Sequence, residues 1–331
     1  MSFDVILPFL RPIEHLILDP DISEIMVNGS ARVFIERRGR LEEIFGATME
    51  EKTLQVAIKN IARRLGDEIN DERPLLDSRL PDGSRVAAVF PPCSIGGSTL
   101  TIRKFASKLF TVDELVGVGT LSPELVELLR RAMADRRNIL ISGGTSTGKT
   151  TVLNALATFI DPTDRIVLIE DTAELQLLQP NLVRFEARRE QPGSPAVTIR
   201  DLVKAALRHR PDRILLGEVR GAEAFDLLQA LNTGHSGTLA TIHANNASQS
   251  VSRFTSCVLQ SDVQLPFQAI RAGIAESVDL ILHIERRHGQ RIVSELIELN
   301  GFDADSNSVR FRSLYGSAAN TEARFAGAVC L

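Results

Sequence analysis

One stretch narrows what this chain can fold into more than any other: Asn138-Ile-Leu-Ile-Ser-Gly-Gly-Thr-Ser-Thr-Gly-Lys-Thr-Thr151. Its apolar start, Ile139-Leu140-Ile141, reads as a buried parallel strand. Gly143, Gly148, Lys149 and Thr150 then fill G-x-x-x-x-G-K-[ST], with Gly144, Thr145, Ser146 and Thr147 inside the loop and Thr151 just after it. Val152-Leu-Asn-Ala-Leu-Ala157 follows as a helix former. Strand, glycine loop and helix are the context a P-loop requires. The glycines let backbone N–H groups approach phosphate oxygens, and the helix points its positive end at them. Lys149 is expected to reach the β/γ-phosphates as a point charge, and the Thr150 hydroxyl to hold Mg²⁺. The pattern predicts a nucleoside triphosphate site.

At 331 residues there is room for two domains, and a composition of 44% hydrophobic and 24% charged residues is that of an ordinary globular chain. Lys+Arg 38 against Asp+Glu 42 leaves a net charge of −4, so no bulk electrostatic case exists for direct nucleic-acid or anionic-membrane binding. Cys93, Cys257 and Cys330 are widely spaced and lack metal-ligand spacing, as expected of reduced thiols in a cytoplasmic protein. No apolar run approaches the ~18 residues of a membrane span, and Met1-Ser-Phe-Asp4 lacks the basic start of a signal peptide. Membrane association is therefore expected only through partners.

Residues 1–105 read as a small α+β domain. Ile13–Leu18 is a short helical segment ended by Pro20. Val33–Glu36 and Leu41–Ile44 form a hairpin across Arg37-Arg-Gly-Arg40. Thr48 and Glu51 suggest a capping box for a helix carrying Leu54, Ile58, Ile61 and Leu65 and stopping at Gly66. Arg85–Phe90 and Thr99–Phe105 are further strands. Residues 106–121 read as a linker, with Gly117 and Gly119 in it, and Ser122-Pro123 opens a helix. Strands and helices then alternate over 122–315: Ile139–Ile141, Ile166–Ile169, Ile214–Leu216, Leu239–Ile242 and Asp279–Ile284, with an antiparallel addition at Ile292–Leu299 and Val309–Phe311. Residues 316–331 are expected to be a loosely ordered tail.

Each apolar strand of this second domain ends in a reactive group, and ligands bind at the carboxyl ends of parallel strands. After the P-loop come Glu170-Asp171, Glu218 and His243. Glu218 stands where a Walker B carboxylate belongs, with Gly217 in place of the usual preceding aspartate. It is a candidate for positioning Mg²⁺ or polarising the attacking water; the alternative is a solvated strand-end acid. Glu170 and Asp171 are candidates for a second acid, Asp171 alternatively for a helix cap. His243 is a candidate γ-phosphate sensor or a structural histidine, with His235 just upstream in Gly234-His-Ser-Gly237. Arg103 lies across its strand from Leu100 and Ile102, where it can leave the first domain's core and cover a triphosphate. Arg208, Arg210, Arg213 and Arg220 surround the Glu218 strand, where surface ion pairs are the default. Arg184, Arg188 and Arg189 read equally as a subunit-interface patch.

With these residues in hand, the chain resembles the type II/type IV secretion-traffic ATPases, especially those of conjugation-type secretion and tight-adherence (Flp-type) pilus assembly. Four boxes carry the resemblance: Gly143–Thr150, Arg165–Leu175, Arg213–Gly221 and Gly234–Asn245. Ile22–Gly29, Leu80–Arg85 and Leu100–Lys104 match in the first domain, and no tetracysteine zinc insertion is present. The resemblance implies a RecA-like P-loop NTPase domain with a smaller N-terminal α+β domain, assembled as a homohexamer. It implies ATP and Mg²⁺ as ligands, with Thr150 and Glu218 toward the metal. Glu170, Glu218, His243 and Arg103 are the implied catalytic residues. The implied partners are inner-membrane platform or secretion-channel proteins, with the chain cytoplasmic and peripheral at that membrane. Two rival functions stay open at this point: a RecA-like ATPase acting directly on DNA, and a slowly hydrolysing, nucleotide-gated structural ring.

Overall fold

The computed structural model describes residues 2–37, 39–105, 109–190, 194–316 and 322–326. Cys330, Arg38 of the hairpin turn and residues 106–108 of the expected linker lie outside these. The chain divides into two units, Met1–Lys108 and Leu109–Leu331.

In the first unit, the short helix α1 (Glu14–Leu18) precedes β1 (Ile22–Asn28), β2 (Arg32–Arg37), β3 (Arg40–Ile44), helix α2 (Glu51–Arg64), β4 (Leu75–Arg79), β5 (Arg85–Val89) and β6 (Thr99–Arg103). The six strands form one antiparallel sheet in the order β3-β2-β1-β6-β5-β4. Alternation chooses the inner face: Ile25, Val27, Val33, Ile35, Val86, Ala88, Leu100 and Ile102 are buried together with Leu54, Ile58 and Ile61 of α2. The expected capping box does not form. Glu50 occupies the cap position without a side-chain bond. Glu51 Oε1 instead accepts from the N–H of Ser98 at 2.9 Å and its hydroxyl at 2.6 Å, a partner far away in sequence. Lys104 is structural as well: its Nζ donates to the carbonyls of Leu16 (3.1 Å) and Asp19 (2.6 Å) at the end of α1.

The second unit holds α3 (Val112–Gly117), α4 (Pro123–Ala134), β7 (Ile139–Gly143), α5 (Lys149–Ala157), β8 (Ile166–Glu170), β9 (Leu182–Glu186), α6 (Ile199–Ala206), β10 (Arg213–Val219), α7 (Glu223–Asn232), β11 (Leu239–His243), α8 (Ala247–Val258), α9 (Phe267–Ser277), β12 (Leu280–Arg287), β13 (Gln290–Asp303), β14 (Ser308–Tyr315) and β15 (Glu322–Ala326). Its sheet runs β15-β14-β13-β12-β7-β11-β10-β8-β9. The strands from β12 to β9 in that order pair in parallel; β13, β14 and β15 add antiparallel. The central strands are buried on both faces, as helix-covered parallel strands must be. Alternate residues feed two cores. Ile139, Ile141, Ile166, Leu168, Leu215 and Leu239 meet α4 and α5, while Leu140, Val167, Ile169, Ile214, Leu216, Ala240 and Ile242 meet α7, α8 and α9.

Two expectations change here. The stretch read as a linker contains α3, opened by a reciprocal capping box between Thr111 and Glu114. Its Val112 and Leu115, with Leu121, join the α4–α5 core, so this segment belongs to the second unit. The stretch read as a loose tail contains β15, which pairs with β14 from Ser308↔Ala326 to Arg312↔Glu322. The Ser122 cap of α4 forms as expected, accepting from the Leu125 N–H at 3.1 Å.

Candidate active site

The strand ends converge because the register aligns them. Gly143 of β7 stands opposite His243 of β11 on one side and Ile284 of β12 on the other. Ile169 of β8 stands opposite Leu216 of β10, so Glu170 reaches the level of Gly217.

The P-loop itself is built from close approaches. A Cβ on Gly143 would lie 2.2 Å from the Ile284 carbonyl oxygen, so no side chain fits there. Gly148 caps α5 at φ 101, in the left-handed region, and Ser146 shares it at φ 58. The Thr147 hydroxyl donates to the Gly144 carbonyl at 2.9 Å and ties the loop to itself. Gly144, Thr145 and Ser146 are exposed, and Thr150 and Thr151 sit half-buried on the first turn of α5.

Lys149 is 7% exposed. Its ammonium has three donors and uses them on the carbonyls of Gly143 (3.0 Å) and Gly144 (2.8 Å) and on Nδ1 of His243 (3.4 Å). Burial pulls the lysine below its usual pKa, with the nearby Glu218 carboxylate acting against that fall. Burial, followed by the Lys149 charge, likewise lowers His243, which favours the neutral ring. A lysine facing Nδ1 needs a lone pair there, so the ring proton sits on Nε2. That nitrogen faces Glu218 Oε1 at 2.8 Å.

Glu218 reaches this position through an irregularity. Along β10 and β11, Leu216 pairs with Ala240 and Val219 with Ile242, so Gly217 and Glu218 together oppose Thr241. This is a β-bulge. Plain alternation would put Glu218 on the face of Ile214 and Leu216; with the bulge, Val219 takes that face and Glu218 turns to the α5 side. The Thr241 hydroxyl holds the bulged Gly217 carbonyl. Glu218 Oε2 meets Arg220 Nη2 at 2.7 Å, and Arg220 Nη1 donates to Asp171 Oδ2 at 3.1 Å. Among the described residues Oε1 has no aligned hydrogen-bond donor although it is buried; the His243 contact is close but poorly directed. A buried carboxylate oxygen in want of a donor fits a water on Mg²⁺, and a single acid with a helix-terminal threonine fits a metal that keeps most of its waters.

Glu170 is placed differently. It is 3% exposed, and its Oε1 accepts the N–H groups of Glu174 and Leu175, each at 2.8 Å, while Oε2 lies 3.5 Å from Arg184 Nη2. Burial raises its pKa, against those two backbone bonds. It also crowds the position of the usual aspartate: a Cβ on residue 217 would stand 3.1 Å from Glu170 Cγ. No helix follows Asp171, which caps nothing and pairs with Arg220.

The remaining candidates sort by position. His235 precedes β11 and so lies at the opposite end of that strand from His243, its Nδ1 3.2 Å from the Ala230 carbonyl. Arg213, expected on the surface, is buried in an ion pair with Asp164 at 2.7 Å. Arg184 serves Glu170 and the Leu175 carbonyl (2.8 Å). Arg103 ends β6 of the first unit, exposed, across from Glu24 and Arg85. Sequence reasoning missed the Arg220 bridge and its anchor Glu223, whose Oε1 accepts the N–H groups of Arg220 (2.6 Å) and Gly221 (2.9 Å). A glutamate shortly after Arg-Gly at a helix start was the available signal.

The model of the type II/IV secretion system protein family matches residues 9–330. The chain belongs to this family. Within it, the chain is 39% identical over 288 residues to the conjugal transfer protein TrbB of Rhizobium radiobacter, covering 86% of this chain and 85% of that one. It is 36% identical over 304 residues to the type IV secretion system protein PtlH of Bordetella pertussis, covering 84% and 90%. The crystal structure of the Legionella pneumophila ATPase DotB superposes with a TM-score of 0.61 at 20% identity, covering 92% of this chain and 83% of that chain. That likeness shows the shared fold: a RecA-like P-loop NTPase domain with a smaller N-terminal α+β domain. The secretion-ATPase resemblance of the four boxes therefore holds for the chain as a whole.

Proposed function

We propose that this secretion-family chain hydrolyses ATP to power a conjugation-type or related type IV secretion machine. The carrying observation is the line of contacts from the P-loop lysine through His243 to Glu218 at the ends of three adjacent strands. ATP is the substrate; its phosphates draw Lys149 from the loop carbonyls, and the N–H groups at the start of α5 receive them. Mg²⁺, held by Thr150 and through Glu218, would supply charge neutralisation on the β- and γ-oxygens. Glu218 orients and deprotonates the attacking water. His243 keeps Glu218 in reach of Lys149 and hydrogen-bonds the γ-phosphate region. Glu170 gives up two backbone bonds if it acts as the base, so we assign it to fixing the 171–175 loop and the base role to Glu218.

The likeness to TrbB and PtlH over most of their lengths supports conjugation-type secretion above pilus assembly. The chain works as a homohexamer, cytoplasmic and peripheral at the inner membrane, docked through secretion-channel or platform proteins. Among the described residues no helix is long and apolar enough to cross a membrane. Motion between the two units carries the work, with Arg103 brought to the phosphates on closure.

Lys149→Ala tests the core of this: it should keep its fold and lose MgATP turnover, and unchanged turnover would reject the proposal. Light scattering with MgATP should give a six-subunit mass; a monomer at roughly tens of micromolar, where weak rings already assemble, would reject the ring. Arg103→Ala should lower turnover about 10²-fold with affinity kept. Mixing it with Lys149→Ala subunits restores activity only if the arginine serves a neighbour's site.

A further inference from the structure

A half-exposed arginine is by default a minor surface partner. Arg220 departs from that default in three ways. Its fork is divided between two acids on two strands, Glu218 at 2.7 Å and Asp171 at 3.1 Å. Its backbone is fixed by the buried Glu223, which takes the N–H groups of both Arg220 and Gly221. And its principal partner is the acid turned to the P-loop side by the bulge, whose second oxygen faces His243.

We propose that Arg220 is a positioning residue for ATP hydrolysis, acting through Glu218 and linking it to Asp171 of the Arg165–Leu175 box. This rests on the reading that Glu218 acts on the attacking water. A glutamate has several rotatable bonds, so the bulge that turns Glu218 to the α5 side does not by itself fix where its carboxylate ends. Occupying Oε2 leaves Oε1 as the oxygen facing His243, the partner of Lys149. The guanidinium is planar with donors in a fixed fork, so one residue can hold Glu218 and Asp171 at a set separation, which a lysine's single ammonium cannot. Any shift of the loop after β8 is thereby passed to Glu218. The hydrogen-bonded turn at Glu223 keeps the arginine from following its partners freely.

The test uses the full-length chain with MgATP, and misplacing a catalytic group costs up to about 10²-fold. Arg220→Gln should lower kcat by about 10- to 100-fold while KM and nucleotide affinity change less than about 3-fold and the urea midpoint is kept. Arg220→Lys should recover only part of the loss. Asp171→Asn should lower kcat by about 3- to 10-fold and add nothing in the Arg220→Gln background, because the two act as one unit. Arg220→Gln should also add nothing to Glu218→Gln. A kcat within about twofold of wild type in Arg220→Gln, a full rescue by lysine, or additive losses in either double variant would overturn the proposal. Glu218→Gln separates the two readings. If it is inactive while Arg220→Gln is indifferent, only the positioning role falls. If it turns over normally, the role of Glu218 falls and this proposal with it.

Discussion

Glu170, closing β8, and Glu218, near the end of β10, are the same residue type on neighbouring strands and the same face of one sheet. Glu170 is enclosed, with one oxygen saturated by the backbone of the loop that follows and the other beside Arg184. Glu218 is held from two sides by side chains on different elements, and one of its oxygens lacks an aligned donor among the described residues. The first arrangement spends a carboxylate on shaping the chain. The second keeps one ready for chemistry. What separates them is one extra residue in β10 and the glycine that lets Glu170 pack against it.

The sharpest break of this comparison is Glu218→Gln. Turnover should fall about 10³-fold with MgATP affinity near wild type if, as proposed, the lost group acts mainly in the transition state. Single-turnover kinetics and calorimetry check it; wild-type turnover there with an inactive Glu170→Gln would exchange the two roles. Next, Glu170→Ala should cost about 2–3 kcal/mol of stability in urea, since it strands two backbone donors in a buried place. A loss under about 0.5 kcal/mol, the range of an inconsequential surface change, would show that the loop holds without it.

These effects mark what the sequence makes legible. The P-loop is local, so its loop, lysine and helix read directly, and the strand-end acids follow from the apolar runs before them. The direction of Glu218 does not, because the bulge exists only against β11, whose residues lie well downstream. Distance in sequence also hid Glu51's use by Ser98 and the bridge from Arg220 to Asp171. Helix α3 was legible and overlooked: Thr111-Val-Asp-Glu114 is a capping box, masked by the two glycines behind it.

A smaller change should follow in Gly217→Ala. The new methyl would press on Glu170 Cγ at 3.1 Å, and a crowding cost of about 1–2 kcal/mol is expected, with turnover reduced as the bulge shifts. A neutral result would mean that Glu170 yields easily. The smallest expected effect is a pH dependence. Burial raises the folded pKa of Glu170 above its ordinary 4.5, so the native state binds that proton more tightly than the unfolded chain. The associated stability is present below the ordinary value and lost as pH rises through the raised one. Acidifying from neutrality toward 4.5 should therefore stabilise wild type relative to Glu170→Gln, by about 1.4 kcal/mol per unit of elevation. Parallel stability curves for the two proteins would show no such elevation.

The bulge at Gly217-Glu218 also acts as a parity bit for the strand. Were Gly217 and Glu218 each to take a place of their own in the pleat, Ile214 and Leu216 would keep their core and the acid would be delivered to the helix-covered far side. Such a regular strand would leave the site without its acid, so in this sheet the frame of one strand stores information that no side chain carries.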